Sequence, residues 1–436
     1  MKNFIETLKN IWKIEELRNR ILTTLGFLLI YRLGAFVALP GIDPQQLSAL
    51  ENQTADGLLG LLNMFTGGAF SQASIMALGI MPYISASIVI QLMTMAVPYL
   101  QKLQKDGESG RTKISQITRY LTVLITCFQA PGYIANLQAT LPPEAFLLPT
   151  TSFWLSSIII LVTGTMFAMW LGEKITDRGV GNGISILIMV GIIAVLPQSF
   201  VFEVGRVKPL IILVELLIMM VVILASVLLV QGVRRIPIQY AKRGGTGQIA
   251  AARQYLPLKV NAAGVMPIIF AQAIMFIPIT FAGLSDSEGV QSFVAAFSDF
   301  SGFWYNFVFG LLIILFTYFY TAITVNTNQM ADDLKRNGGF VPGVKPGKDT
   351  AGFLDGIMSR IVLPGSVFLA FIAILPAFAM NAGVNQSFAQ FFGGTSLLIM
   401  VGVVLDTLQQ IEGYLLNRHY DGLMKSGRLS GGRSGM

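Results

Sequence analysis

Ten stretches of this chain are apolar for long enough to cross a lipid bilayer, and no other feature restricts the fold as strongly. A hydrocarbon core about 30 Å thick takes about 20 apolar residues in a helix. Backbone polar groups meet no water there, so each must bond within its own segment. The windows lie near 21–39, 75–97, 117–136, 153–171, 184–198, 209–230, 262–281, 305–325, 361–380 and 396–416. The fifth is short, and the third contains Pro131-Gly132. Charged residues are 12% of the chain and hydrophobic ones 53%, about half the charged share of a soluble domain. The expected fold class is an all-α polytopic membrane protein with ten transmembrane helices.

Lysine and arginine orient such a bundle, because they are retained on the cytoplasmic side. The segment before the first window holds five, the region entering the third five more, and residues 172–183 two. Residues 231–261 hold six, 326–360 five and the tail four. The intervening loops 40–74, 137–152, 282–304 and 381–395 hold none. Thus 27 of the 30 basic residues fall on one side; Arg206 and Lys208 fall on the other and Arg32 within the first window. Both termini are expected in the cytoplasm, where the net charge of +7 would also sit. No cleavable leader pattern opens the chain, so an uncleaved protein is expected.

The expected organisation is an amphipathic segment 1–20, an N-terminal half 21–198, a C-terminal half 209–416 and a tail 417–436. Five spans per half would run the second half inverted relative to the first, and inverted repeats place their working site at the interface between halves. Loops 231–261 and 326–360 are long and basic, with Gly and Pro turn chemistry. They either satisfy orientation alone or form a docking surface for an acidic partner or an RNA-rich particle. "GGTGQ" is followed by no Gly-Lys-Ser/Thr, so it is no phosphate loop, and any energy source would come from a partner.

The second window, "LGIMPYISASIVIQLM", is more than greasy. At about 100° per residue, Ile80, Ile84, Ile88, Ser87, Gln91 and Thr94 share one stripe, with Met81, Ala86, Val89, Leu92 and Met93 opposite. Polar groups in a span avoid lipid, so the stripe is expected to face inward, toward either packed helices or a cavity. "GLLGLLNMFTGGAF" (57–70) precedes it on the outer side. It is too short to span and too apolar for a solvated loop. It reads as an interfacial helix or as a segment folded back into the membrane, which only surrounding protein or a cavity tolerates. Further isoleucines stand at 184, 188, 269 and 399, with Gln272 and Phe276 near Ile269.

One cysteine, Cys127, excludes an internal disulfide. One histidine, His419, leaves no Ser/His arrangement and no histidine metal site, so no cofactor, no metal and no enzymatic activity are expected. Arg32, Glu215 and Asp406 lie inside windows, with Glu173 and Glu412 at ends and Arg119 at the entry of the third, few for an ion-coupled carrier of small solutes. That carrier remains the alternative function.

The stretches "ALGIMPYISASIVIQLMT", "GESGRTKISQITRY", "VTGTMFAMWLGEKITDRGVGNGISI", "RRIPIQYAKR", "LPLKVNAAGVMPIIFA", "GGFVPGVKPG" and "FGGTSLLIMVGVVLDT" resemble the SecY family of protein-conducting channels over essentially the whole chain. The resemblance implies two five-helix halves around a central pore that passes unfolded secretory polypeptides and releases transmembrane segments sideways into lipid. It implies a pore ring of Ile80, Ile84, Ile184, Ile188, Ile269 and Ile399. A lateral gate would involve Ser85, Ser87, Gln91, Gln129, Gln272 and Phe276. A plug of about 58–70 would include Leu58, Leu61, Leu62, Met64, Phe65, Gly67 and Gly68. The implied partners are the small subunits SecE and SecG, the SecA motor ATPase, the ribosome, signal sequences and membrane lipid. Docking falls to Arg234, Arg235, Lys242, Arg243, Arg336, Lys345 and Lys348. The family commonly has arginine where this chain has Lys345, which keeps the charge but lacks the planar fork.

Overall fold

A helix lies over each of the ten apolar windows in the computed structural model, which describes residues 12, 14–47, 50, 57–240, 254–282 and 301–430. In chain order come α1 (Glu15–Ala35), α2 (Gly57–Phe65), α3 (Met81–Ala96), α4 (Pro98–Lys105), α5 (Gly107–Thr140), α6 (Thr150–Arg178), α7 (Gly183–Arg206) and α8 (Pro209–Gln231). Strands β1 (Val233–Tyr240) and β2 (Gln254–Lys259) follow, then α9 (Met266–Ala282), α10 (Phe303–Thr324) and α11 (Thr327–Arg336). Strand β3 (Gly339–Phe340), α12 (Lys348–Asn381), α13 (Gln386–Ala389) and α14 (Gly394–Ser430) complete the order. Among the described residues, six helical stretches are long and apolar enough by themselves to cross a bilayer, and α3 with α4 makes a seventh if the pair, bent by 102°, is one span. The bend has a local cause: Val97, held extended before Pro98 (φ −103°, ψ 112°), cannot continue the helix.

Contacts gather into two units, residues 1–199 with 403–436, and residues 200–402. In the first, α1 is apolar outside and mixed inside. Leu22, Leu25, Leu29 and Leu33 are exposed, whereas Leu17, Thr24, Tyr31 and Ala35 are buried. In the second, α8 exposes Leu210, Leu213, Leu217 and Met220 and buries Glu215 and Ser226. Water would select the opposite arrangement; lipid selects this one.

Helix α5 runs unbroken through Pro131, where the sequence suggested a weak span. Its inner face carries Thr118, Thr122 and Thr126, each hydroxyl donating to the carbonyl four residues back. Helix α7 is longer than the expected 184–198 and passes Pro197 to reach Arg206. The polar residues that closed that window have partners: Glu203 accepts from the Asn385 N–H at 3.2 Å, and Arg206 donates to the Gly383 carbonyl.

The second window also differs. Helix α3 begins at Met81 with Pro82 in its first turn, and residues 66–80 form turns, apart from a bridge at Ser74. Gly67, Gly68 and Gly79 all have positive φ there, which removes the helical option. The turns are held from outside. The Leu39 N–H donates to the Ala73 carbonyl at 2.8 Å and the Ile75 N–H to the Val37 carbonyl at 2.9 Å. A Cβ on Gly164 of α6 would lie 2.0 Å from the Ile75 carbonyl oxygen, so only glycine lets the segment pack this close.

One element outside the spans accompanies the all-α bundle. The long basic loops carry a three-stranded antiparallel sheet of order β2-β1-β3. Arg234 pairs with Leu258, Ile236 with Leu256, and Gln239 with Phe340. The alternation in "RRIPIQY" has the strand period: Ile236 and Ile238 are buried, and their neighbours are exposed. Ile236, Leu258 and Val341 form one core with Leu354, Met358 and Val362 of α12. That core explains why α12 starts at Lys348, well before the apolar window at 361–380.

Candidate functional site

The segment between α1 and α3 is built around the end of α2. A nine-residue helix leaves its last carbonyls without helical partners. The Gly68 N–H bonds the Asn63 carbonyl at 2.8 Å and the Gly67 N–H bonds the Met64 carbonyl at 3.1 Å, a Schellman motif with Gly67 in the left-handed position at φ 67°. Thr66 Oγ1 donates toward the Leu62 and Asn63 carbonyls and accepts from the Phe70 N–H. The Asn63 side chain accepts from the Ser71 N–H at 3.0 Å. Met64, Phe65, Phe70 and Ala73 are buried, although this stretch is irregular. Tyr133 of α5 stacks edge-on to Phe70 and donates its hydroxyl to the Phe70 carbonyl at 2.8 Å.

Of the expected plug residues, Leu62 and Gly68 are half-buried, and Met64, Phe65 and Gly67 are buried. The side chains of Leu58 and Leu61 lie outside the described residues. The helical part ends at Phe65, and 66–70 are turns.

Among the six isoleucines, Ile80, Ile188 and Ile399 are buried, and Ile84, Ile184 and Ile269 are half-buried. Ile80 is the N-cap of α3 rather than part of its body. On α3 the exposed arc is Val89, Leu92, Met93 and Ala96, whereas Ala86, expected on that outward side, is fully buried. Burial therefore reaches around most of the helix, and lipid exposure is confined to a narrow strip.

The polar groups of α3 bond within the helix. Ser85 donates to the Met81 carbonyl at 3.2 Å, Gln91 Nε2 reaches Ser87 Oγ at 3.4 Å, and Thr94 donates to the Gln91 carbonyl at 2.6 Å. Gln91 Oε1 is buried without a hydrogen-bond partner among the described residues. Gln272 is buried on α9 and Gln129 is exposed on α5. The Phe276 side chain lies outside the described residues.

Sequence reasoning missed a clasp around residues 177–183. Arg20 donates to the Gly179 carbonyl at 3.3 Å, and Thr24 Oγ1 accepts from the Val180 N–H at 3.1 Å. The Gly181 N–H donates to Gln410 Oε1 at 3.0 Å. Arg20 also stands 5.1 Å above the Tyr414 ring. Backbone donors inside an apolar protein must find acceptors, so the glycine run in "DRGVGNG" was a signal that polar side chains would close on it.

On the basic loops, Arg234, Arg235, Arg336, Lys345 and Lys348 are exposed, and Lys242 and Arg243 lie outside the described residues. Register puts Arg235 and Lys259 on the same outward face of the sheet, because Arg235 pairs with Pro257 and Lys259 with Val233. The Lys345 turn is fixed by Gly343 and Gly347, both at positive φ, and by Thr350 Oγ1 donating to the Lys345 carbonyl at 2.8 Å. The loops thus present an exposed, cation-bearing edge on an apolar core.

Comparison with known proteins identifies the family. The SecY family model matches residues 74–408. The protein translocase subunit SecY of Vibrio cholerae is 44% identical over 430 residues, covering 96% of each chain. The fold is similar to that of a SecY structure concerned with the plug domain, the closed translocation channel and its membrane seal. That match has a TM-score of 0.62 at 17% identity, covering 90% of this chain and 91% of that one. It is also similar to Sec61 of the canine ribosome-channel complex, with a TM-score of 0.55 at 17% identity over 90% of this chain and 91% of that one. The chain belongs to the SecY family of protein translocase subunits, multi-pass membrane proteins that form a protein-conducting channel.

Proposed function

We propose that this chain is the pore subunit of a bacterial inner-membrane translocon, with both termini in the cytoplasm and two inverted five-helix halves. Ile80, Ile84, Ile184, Ile188, Ile269 and Ile399 form its constriction. An apolar constriction dewets when empty and so resists hydrated ions, while isoleucine offers no strong binding site to a passing polypeptide. The segment around α2 is the plug. Ser85, Ser87, Gln91, Gln129, Gln272 and Phe276 line the lateral gate. Through that gate, segments partition by transfer energy: Leu or Ile at a span centre favours lipid by about 0.3–0.6 kcal/mol, and a charge opposes it by roughly 2.5–3.5 kcal/mol. The sheet and α11–α12 region, with Arg243 nearby in sequence, docks the SecA motor or the ribosome, and SecE and SecG complete the complex.

The observation that carries this reading is a buried apolar segment, turned back on itself and packed against α5 and α6, beside the first helix of the isoleucine set. The test is crosslinking to a stalled precursor. A photoreactive residue at 84, 188, 269 or 399 is expected to give precursor adducts, and one at exposed Val89 none. A folded, inserted protein giving no adducts at the four positions would move the path elsewhere.

A further inference from the structure

Arg32 lies within the first apolar window, in the last turn of α1, and a charge there calls for a partner. Its Nη1 donates to the Gly67 carbonyl at 2.6 Å, and its guanidinium stands 5.1 Å over the Phe36 ring. No carboxylate pairs with it among the described residues. The acceptor is significant. Gly67 closes the C-terminal end of α2, where the helix dipole concentrates negative partial charge. A cation from α1 thus meets the negative end of the re-entrant helix.

The opposite side of this end is walled by α7. A Cβ on Gly67 would lie 2.7 Å from Arg32 Nη1 and 2.9 Å from Gly191 Cα. A Cβ on Gly191 would lie 2.7 Å from the Phe65 carbonyl oxygen. Residues 65–67 therefore sit between a guanidinium and a bare stretch of helix backbone, with no side chain between them.

We propose that Arg32 is a positioning residue, the latch that seats the re-entrant helix, with Gly67 and Gly191 as its strike plate. This rests on reading that segment as the plug. A single charge-assisted bond to a backbone carbonyl suits a latch: it is directional, and it breaks without leaving a buried carboxylate.

The test labels a cysteine at the buried position 64 in the full chain (M64C, with C127S) with a membrane-impermeant maleimide. Labelling is expected to be slow with Arg32 present, many-fold faster in R32A, and intermediate in R32K, which keeps the charge without the planar fork. G67A displaces the same contact from the other side and is expected to match R32A; it carries the test if R32A does not fold. Equal labelling rates in the folded variants and the parent would overturn the latch. Resting ion conductance of a channel lacking residues 57–65 tests the plug reading separately. Unchanged conductance there would remove the plug role, while the labelling rates would still decide whether Arg32 seats the segment.

Discussion

Arg119 and Glu173 form a two-pronged ion pair across α5 and α6, Nε to Oε1 at 3.0 Å and Nη2 to Oε2 at 2.8 Å. The planar fork matches the carboxylate edge, which a lysine cannot do. Both side chains keep substantial solvent contact, 45% and 22% exposed, so screening limits the contribution. R119A is expected to cost about 1 kcal/mol or less, and R119K is expected to recover less than half of that. Denaturant unfolding of the purified protein at low and high salt measures both. A loss that ignores salt would mean that the pair acts through packing rather than charge.

Two glycines predict opposite outcomes. At Gly164 a methyl group would collide with the backbone carbonyl of Ile75, whereas at Gly132 nothing lies within 4 Å. G164A is expected to destabilise by about 3 kcal/mol, because backbone cannot swing aside as a side-chain tip can. G132A is expected to be neutral or to stabilise α5 by up to about 1 kcal/mol. Thermal unfolding of the two variants side by side decides this. If G164A were silent, the approach of α6 to the turn at Ile75 would be looser than described.

The isoleucine ring predicts a leak. Replacing Ile84 and Ile269 together by glycine removes branched carbons from a seal that works by excluding water. Resting ion current through reconstituted channels is expected to rise several-fold, with α3 and α9 still folded by circular dichroism. Current indistinguishable from the parent would argue against these positions as the constriction.

Docking at the sheet predicts a charge effect without a folding effect. Arg235 and Lys259 point away from the core that holds β1 and β2 to α12. R235E with K259E is expected to weaken SecA or ribosome binding about tenfold, with a steeper loss at higher salt for the parent than for the variant. R243E is expected to act in the same direction. Unaltered affinity for both partners would make the basic loops purely topological.

The spans were legible because hydropathy is a local signal, and the basic residues are placed by a rule that reads each loop by itself. The sheet was less legible. The alternation of Ile236 and Ile238 with polar neighbours was present in the sequence, but charge and turn residues dominated the reading of that loop. The turns at 66–80 were illegible in detail, since they depend on Val37, Tyr133, Gly164 and Gly191, outside that segment. Arg32 stood out as a charge within an apolar window, yet its partner is a backbone carbonyl, which no residue pattern announces. On α3 the stripe was sound in part. Val89, Leu92 and Met93 do face outward, but Ala86 packs inward because a small residue lets a neighbouring helix close in.

The clasp at Gly181 has a consequence for biosynthesis. The N–H of Gly181 waits for an acceptor, Gln410, that lies 229 residues later. A ribosome making this chain lays down α1 through α7 long before that side chain exists. The first unit therefore cannot finish closing until nearly the whole polypeptide has been made, and a chain halted before α14 would leave a buried donor unanswered at the corner where Arg20 and Thr24 already hold their side. Completion of synthesis is thus recorded in the early half of the molecule as a single hydrogen bond.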